Sequence, residues 1–293
     1  MQLNITDVRV VPGDSGFLID TGKTTLLYDS GFAFTGEALA DNIQKILGDR
    51  PLDYILLSHS HYDHVLGAPY VARRYPGAKI IAGAYAHRIF QKPTARATMR
   101  QLNEKAAQAQ GITDFEDLID ALRVDIPAED GDRLQLGDLE ISVIALPGHT
   151  KCSVGYYLPR HKLLLGTETL GVYFGKETYL PSFLVGYRMA LDSFQRAGQL
   201  DMERILLPHY GVVEQEEMAA YLKNSEAVTR NSARRILSML RAGLDEDEIL
   251  ERLSETDYLP HVRPVYPPDA YRLNTRIMIR QVQTELLPHP KNP

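Results

Sequence analysis

The sequence predicts an α/β (α+β) fold in which mixed β-sheets are covered by helices. Two series of short β-favouring segments, separated by Gly, Pro and Asp turn signals, indicate two antiparallel meanders. Between and after the meanders, apolar runs of strand length alternate with segments of helical spacing. The C-terminal part, residues 213–293, has an almost wholly helical pattern, so we predict a helical extension there.

The first part of the chain begins with a meander and continues with alternating helices and strands. Leu39, Ile43 and Leu47 recur at helical spacing in residues 36–47. The apolar residues 55–57 predict a buried strand. The predicted elements are strands 3–11, 17–20, 24–28, 55–57 and 78–82 and helices 36–47 and 65–74.

The second part begins with residues 92–123, which are polar and alanine-rich and predict a helical insertion or lid. Within it, helical patterns cover residues 95–108 and 115–122. The elements predicted next are strands 133–136, 139–145, 153–158, 162–165 and 205–207 and helix 183–197, with further helices over 213–260 and 271–287. We therefore expect a metal-binding domain over residues 1–212 and a helical region over 213–293.

Composition indicates an ordinary globular protein and excludes several functions. Of 293 residues, 44% are apolar and 24% charged, and no apolar stretch reaches the 18 or so residues of a membrane helix. The net charge of −6, without a dense Lys/Arg block, argues against a nucleic-acid partner. A single cysteine and no N-terminal targeting pattern predict a cytoplasmic protein without a membrane partner.

Histidine is the residue type whose placement indicates a function. His59, His61, Asp63 and His64 directly follow predicted strand 55–57 in the pattern His-x-His-x-Asp-His. In extended backbone, residues 59, 61 and 63 point to one side and 64 elsewhere, so a chain that turns here can surround two cations. Imidazole and carboxylate are ligands of Zn²⁺ and similar metals. A shuffled chain would contain this pattern with a probability of roughly 6 × 10⁻⁴.

This motif resembles the signature of the metallo-β-lactamase-fold superfamily, and further landmarks of that family recur in order over residues 1–212. Asp29 and Gly31 resemble its strand-ending Asp-x-Gly, and residues 147–150 its Pro-Gly-His-Thr element. Residues 162–171 align with its strand that ends in Gly-Asp, and residues 206–211 contain the last histidine. The resemblance implies a four-layer αββα sandwich of two mixed β-sheets flanked by helices, with a C-terminal helical extension.

The resemblance also implies a dinuclear centre for two divalent metal ions, zinc first, with iron or manganese as alternatives. Position by position, the implied ligands are His59, His61 and His149 for the first metal and Asp63, His64 and His209 for the second. The chain departs from the family at the bridging carboxylate, where Thr167-Glu168 replaces the usual Gly-Asp ending. Glu is one methylene longer but is a competent oxygen ligand, so we predict Glu168 as a further ligand and leave the metal spacing open.

Residues beside these ligands have expected supporting roles. Asp29 would orient ligands or backbone, because metal-bound imidazoles need partners behind them. Tyr62 and Tyr210 flank ligands and could donate hydrogen bonds to a substrate, although such tyrosines are more often packing residues. Cys152 is expected to be a small buried residue at a strand start. An alternative role for Asp63 is to cap the helix predicted at residue 65.

Hydrolysis is the chemistry expected from two metals that share a water, and Asp63 could orient that water and accept its proton. Within the family, the acidic charge and small insertion resemble glyoxalase II and other thioester, ester and lactone hydrolases. We therefore predict a hydrolase with a small-molecule substrate, with a second copy of the chain as a further predicted partner in a homodimer. The alternatives are a dinuclear iron redox protein, a phosphodiesterase, or a binding protein without metal. Arg230 to Arg241 could contact substrate or form the solvated face of a helix.

Overall fold

The computed structural model of the chain describes residues 3–287, and contacts divide these residues into two compact units. The first unit comprises the described residues up to Ala145, then Cys152–Thr167 and Asp201–Val212. The second comprises Leu146–Lys151, Glu168–Leu200 and the described residues from Val213 onward. The domain boundary proposed at residue 212 from the sequence stays a prediction.

Two six-stranded mixed sheets form most of the first unit. The first sheet has, in spatial order, β1 (Asn4–Asp7), β2 (Phe17–Asp20), β3 (Thr25–Tyr28), β4 (Tyr54–Leu57), β5 (Lys79–Gly83) and β6 (Ile126–Ala128). Its first three strands are antiparallel, and the pairs from β3 to β6 are parallel. Parallel strands end at the same edge, so the loops that leave β3 and β4 lie side by side.

The second sheet has, in spatial order, β7 (Arg133–Leu136), β8 (Leu139–Ala145), β9 (Val154–Leu158), β10 (Leu163–Leu165), β13 (Arg204–Leu207) and β14 (Gly211–Val213). It is antiparallel from β7 to β10, and β10 and β13 are parallel. Ile19 and Leu56 of the first sheet share a buried core with Val143, Tyr156 and Leu206 of the second. The alternating side chains of the strands thus pack the two sheets face to face.

The helices of the first unit are α1 (Gly36–Leu47), α2 (Tyr62–Val65), α3 (Ala68–Arg74), α4 (Ala84–Phe90) and α5 (Pro93–Ala109). They cover the other face of the first sheet. The apolar stripe of α1, with Leu39 and Ile43, packs against Leu27, Ile55 and Leu57 in one buried cluster. The first unit by itself therefore contains three layers in the order helices, first sheet, second sheet.

The second unit is mainly helical. It contains α6 (Tyr187–Gly198), α7 (Gln215–Arg241), α8 (Glu246–Asp257) and α9 (Pro268–Leu286), with a hairpin of β11 (Val172–Tyr173) and β12 (Tyr179–Leu180). Phe183, Ile236, Leu250 and Ile279 belong to its buried core. Helix α8 begins with a capping box between Asp245 and Glu248, as its acidic start indicates. Within residues 3–287, no helix has both the length and the apolar character needed to cross a membrane.

The fold class predicted from the sequence is confirmed: two mixed sheets with helices, followed by C-terminal helices. The helix predicted over residues 65–74 is interrupted: α2 ends at Val65 and α3 begins at Ala68, where Pro69 has no amide hydrogen to continue the preceding helix. The helix predicted over residues 115–122 is wrong. Only Ile119–Ala121 forms a 3-10 turn there, after Asp117 accepts a hydrogen bond from the Ile119 amide.

Strand β6 was not expected, because Pro127 interrupts its short apolar run. Proline lacks an amide hydrogen, so within sheets it is restricted to edge positions. β6 is the last strand of the first sheet and therefore tolerates the proline. Pro127 is tolerated because of the edge position of β6, which the sequence alone does not reveal.

Candidate metal centre

The His-x-His-x-Asp-His segment turns from strand β4 into helix α2. His59 is fully buried just after the strand, and His61 is the extended N-cap residue of the helix, with φ −76° and ψ 147°. The ring centroids of His59 and His61 are 4.7 Å apart, and those of His59 and His64 are 4.1 Å apart. The change from extended to helical backbone therefore gathers three imidazoles at the end of β4.

Asp63, His64 and His209 form a candidate ligand group that lies wholly in the first unit. Their ligand-type atoms all lie within 4.8 Å of one another. The Oδ2 atom of Asp63 is 3.7 Å from the Nε2 atom of His64 and also 3.7 Å from that of His209. Asp63 remains 22% exposed, so its carboxylate is accessible to solvent while both imidazoles lie deeper.

Asp29 binds His64 from behind. Its backbone is left-handed, with φ 55°, and its amide donates to the carbonyl of Leu56 on β4 (2.9 Å). The fully buried carboxylate accepts a hydrogen bond from the Nδ1 atom of His64 (2.8 Å). Because a carboxylate oxygen only accepts, the hydrogen of this ring is on Nδ1, and Nε2 is the nitrogen that could bind a metal.

The same carboxylate reaches His59 through Ser58. The amide of Ser58 donates to Oδ1 of Asp29 and its hydroxyl donates to Oδ2, both at 2.8 Å. The Ser58 oxygen in turn lies 2.9 Å from the Nδ1 atom of His59, which donates to it. One buried carboxylate thus orients two imidazoles, one directly and one through Ser58. The sequence identified Asp29 but gave no signal for Ser58.

His209 follows strand β13, and the loop at Asp14 orients its ring. Its Nδ1 atom is 3.2 Å from the carbonyl oxygen of Asp14, which can only accept a hydrogen bond. The Arg9 guanidinium donates to the His209 carbonyl at 2.5 Å. Burial raises the pKa of the Asp14 carboxyl to about 6, although hydrogen bonds, the largest from the Val10 amide, oppose the shift. Sequence reasoning missed Arg9 and Asp14, because single charged residues near turns are common.

His149 and Glu168 lie in the second unit, in the loops that follow β8 and β10. The Nε2 atom of His149 is 2.9 Å from Oε2 of Glu168, which is 12% exposed. The Nδ1 atom of His149 is 2.7 Å from the hydroxyl of Ser182, and its amide donates to Thr169 Oγ1 (3.0 Å). Gly148 adopts φ 141°, where a Cβ atom would lie 2.7 Å from the backbone of Ala190. The longer Glu side chain therefore reaches the imidazole.

The predicted ligands gather within each unit. In the first unit His59 and His61 are neighbours, and Asp63, His64 and His209 form a group that could hold a metal ion. In the second unit His149 contacts Glu168. In four of the predicted histidines Nδ1 has a hydrogen-bonding partner, so Nε2 is the ring nitrogen that could bind a metal. Two ligands that each lie about 2.0–2.2 Å from one ion are at most about 4.4 Å apart. The 3.7 Å spacings around Asp63 satisfy this limit, and the donor set fits a divalent metal.

The other predicted residues have more ordinary surroundings. Asp63 lies inside α2, whose N-cap residue is His61, so the alternative that Asp63 caps this helix is wrong. Tyr62 is half-buried against the core between the helices of the first unit and the first sheet, with its ring 5.7 Å from that of Phe32. The carbonyl of Tyr210 accepts a hydrogen bond from Arg9 (3.4 Å). Cys152 is buried just before β9, as expected.

Comparison with known proteins supports the same family. The family model described as the metallo-beta-lactamase superfamily matches residues 9–209. A metallo-beta-lactamase fold-containing protein of Sulfurisphaera tokodaii is 25% identical over 208 residues, which cover 69% of this chain and 74% of that protein. A hydroxyacylglutathione hydrolase of Ruegeria pomeroyi is 27% identical over 175 residues, with 58% of this chain and 53% of that enzyme covered.

Among solved structures, a metallo-beta-lactamase family protein from Thermus thermophilus is similar to nearly the whole chain. Its TM-score is 0.62 at 18% identity, and the match covers 97% of this chain and 93% of the other. At this identity the similarity concerns the fold alone. The chain spans only about half the length of the hydroxyacylglutathione hydrolase that it matches.

Proposed function

The chain belongs to the metallo-beta-lactamase superfamily, and from this premise we propose that it is a dinuclear metal-dependent hydrolase of a small thioester, ester or lactone. The observation that carries the proposal is the donor set of Asp63, His64 and His209. Two of these groups are imidazoles whose Nδ1 atoms are already engaged by Asp29 and by the Asp14 carbonyl. In metal centres, each histidine ligand typically donates its other ring N–H to an acceptor, as the Nδ1 atoms of these two rings do.

We assign two metal positions, in line with the expectation from the sequence. His59, His61 and His149, with Glu168, would hold one metal, and Asp63, His64 and His209 would hold the other. The contact between Glu168 and His149 supports a ligand role for the longer carboxylate. Zinc is the metal we propose, because imidazole and carboxylate are its preferred ligands when no cysteine takes part.

When bound, two such metals lower the pKa of a water toward neutrality and polarise a carbonyl oxygen of the substrate. The residues of the chain supply the remaining chemistry. Asp63 is the most exposed member of its group, so its carboxylate can accept the proton that the attacking water loses. Asp29 keeps the ring of His64 fixed while charge develops beside it. Neither step needs a serine or cysteine nucleophile.

Thioesters are the substrate class that we place first. The hydroxyacylglutathione hydrolase relatives support this choice, since their name describes an enzyme that cleaves an acyl group from a thiol. Their identity to this chain is 27% and 28%, so the acyl and thiol parts of the substrate are left open. The cytoplasmic location and the homodimer stay predictions.

The test is a substrate panel run on protein purified without added metal. Mass spectrometry first measures the bound metal, and hydrolysis of a thioester, an ester, a lactone and a phosphodiester is then compared with Zn²⁺, Mn²⁺ and Fe²⁺. We expect about two metals per chain and the fastest turnover on a thioester with Zn²⁺. Asp63→Asn should lose turnover, whereas Asp20→Asn, at the end of β2, should not.

Several outcomes would contradict the proposal. A protein that binds no divalent metal under any condition would be a binding protein and not a metallohydrolase. Bound iron with a visible charge-transfer band, and no hydrolysis, would favour the dinuclear iron redox alternative. Turnover of the phosphodiester alone would move the assignment to a phosphodiesterase.

A further inference from the structure

Helix α7 contacts the short turn that begins with Glu168. The hydroxyl of Tyr221 donates to the carbonyl of Leu170 (2.8 Å) and lies 3.2 Å from that of Gly171. One helical turn later, the Ser225 hydroxyl donates to the same Leu170 carbonyl (2.6 Å). Two side chains of one helix therefore hold two consecutive carbonyls directly after the predicted metal ligand.

These contacts are buried and closely packed. Tyr221 and Ser225 are each only 1% exposed, and Leu170 is fully buried. Gly171 adopts φ 85°, and a Cβ atom there would lie 2.0 Å from the Ser225 oxygen. Burial raises the pKa of Tyr221 far above its ordinary value, so its hydroxyl keeps the hydrogen that it donates. The turn cannot shift along α7 without leaving buried carbonyls unpaired.

The turn has little structure of its own. Glu168–Leu170 is a single 3-10 turn, closed by one backbone hydrogen bond from the Gly171 amide to the Glu168 carbonyl (2.9 Å). A segment this short is positioned by its surroundings. Within the same turn, the hydroxyl oxygen of Thr169 accepts a hydrogen bond from the His149 amide, so the turn also fixes the loop that carries this histidine.

The contacts from α7 matter because the predicted ligand at position 168 is a glutamate and not an aspartate. A glutamate carboxylate lies one methylene farther from its backbone than an aspartate carboxylate, so the position of the Glu168 backbone determines where its carboxylate lies. The carbonyls bound by Tyr221 and Ser225 are two and three residues from Glu168, too close in the chain for their displacement to leave Glu168 in place.

We propose that Tyr221 and Ser225 are positioning residues that set the location of the Glu168 carboxylate, and with it the affinity of the metal that Glu168 binds. The C-terminal helical region thereby contributes to the metal centre through α7. The inference rests on the proposed function in one respect, namely that Glu168 is a metal ligand.

The test uses Tyr221→Phe, Ser225→Ala and the double variant in the full chain. Zinc affinity is measured by competition with a chelator, and Co²⁺-loaded protein gives a visible spectrum that reports the ligands directly. We expect the double variant to bind one of the two metals about tenfold more weakly, with an altered Co²⁺ spectrum and the second metal unaffected. Ser232→Ala and Tyr271→Phe remove similar buried hydroxyls elsewhere in the second unit and should leave both readouts unchanged.

A double-mutant cycle separates positioning from a general loss of stability. In a Glu168→Gln background, the substitutions on α7 should have no further effect on metal affinity, because the group that they position is gone. Equal effects in both backgrounds would overturn the inference, as would a double variant with unchanged affinity and spectrum. If the double variant does not fold, the cycle is measured with Tyr221→Phe alone, because this substitution keeps the buried ring. Wild-type protein without bound metal would instead contradict the proposed function.

Discussion

The two units hold their histidines in different ways. In the first unit, His59 follows strand β4 and His64 lies in helix α2. The Asp29 carboxylate, at the end of neighbouring strand β3, fixes the ring of His64 directly and that of His59 through Ser58. In the second unit, His149 and Glu168 lie in loops, and the contacts that hold them come from Ser182, Thr169 and helix α7. A paired sheet thus supports the first set, and single side-chain hydrogen bonds support the second.

The difference teaches that side chains predicted to bind metal can be held by backbone pairing in one unit and by single hydrogen bonds in the other. Backbone pairing between β3 and β4 fixes the distance from Asp29 to the histidine motif, so few substitutions can alter it. Hydroxyl contacts such as that of Ser182 to His149 can be changed one at a time. We therefore expect changes behind the first set to have larger effects than changes behind the second.

The largest effect is expected for Asp29→Asn. The new amide would present hydrogens to the Nδ1 atom of His64 or to Ser58, which both donate now. Loss of such partners typically costs about 10- to 100-fold in metal affinity or activity, and here two imidazoles depend on one carboxylate. We expect a loss of about 100-fold in kcat/KM, with weaker binding of both metals. Wild-type affinity would refute the role of Asp29, and Asp20→Asn is the matched control.

A smaller effect is expected for Ser182→Ala, which removes the partner of the His149 ring nitrogen. Only one ligand loses its orientation, so we expect about tenfold weaker binding of one metal. Chelator competition measures the change, and Ser232→Ala serves as the control. If Ser182→Ala weakened both metals as much as Asp29→Asn does, the proposed difference between the two units would be wrong.

Arg9→Lys tests the support behind His209. Lysine cannot reproduce the paired contacts of the guanidinium with the His209 and Tyr210 carbonyls. A lost hydrogen bond of this kind is worth about 1 kcal/mol, so we expect a decrease of about fivefold in the affinity of one metal. Titration of metal-free protein with Zn²⁺ measures it. A change above about 100-fold would show that Arg9 does more than hold this loop.

The smallest effect is expected for Glu246→Gln, which acts on the helices of the second unit alone. Hydrogen bonds from Arg280, and then from Arg276, lower the pKa of Glu246. A lowered pKa in the folded state means stability that is present above the ordinary value of 4.5 and is lost as the pH falls through the folded-state pKa.

Because Glu246 and its two arginine partners are partly exposed, we expect Glu246→Gln to lower the free energy of unfolding by less than about 1 kcal/mol at pH 7. In strong acid, where Glu246 is protonated, we expect no change in this free energy. Urea unfolding at several pH values measures the difference. A cost that grows as the pH falls would contradict the sign of this linkage.

Much of the fold could be predicted from the sequence because its signals are local. The apolar runs of β3 and β4 and the helical stripe of α1 lie within single segments, and the elements found there match closely. The helix predicted over residues 115–122 failed because Asp117 binds the Ile119 amide and an arginine from α5. The contact with the arginine joins two separate segments of the chain, and the hydrophobic periodicity of a single segment cannot show it.

The sequence by itself determined which side chains could bind metal, since the motif His-x-His-x-Asp-His, the two later histidines and Glu168 are visible as residue types in order. Only the tertiary structure decided which ring nitrogen of four histidines is hydrogen-bonded to a neighbour, which nitrogen could therefore bind a metal, and what holds Glu168. The partners responsible, such as Ser58, Ser182 and Tyr221, are common residue types with no local signal. Ligand identity is a property of a residue, whereas ligand orientation is a property of its neighbours in space.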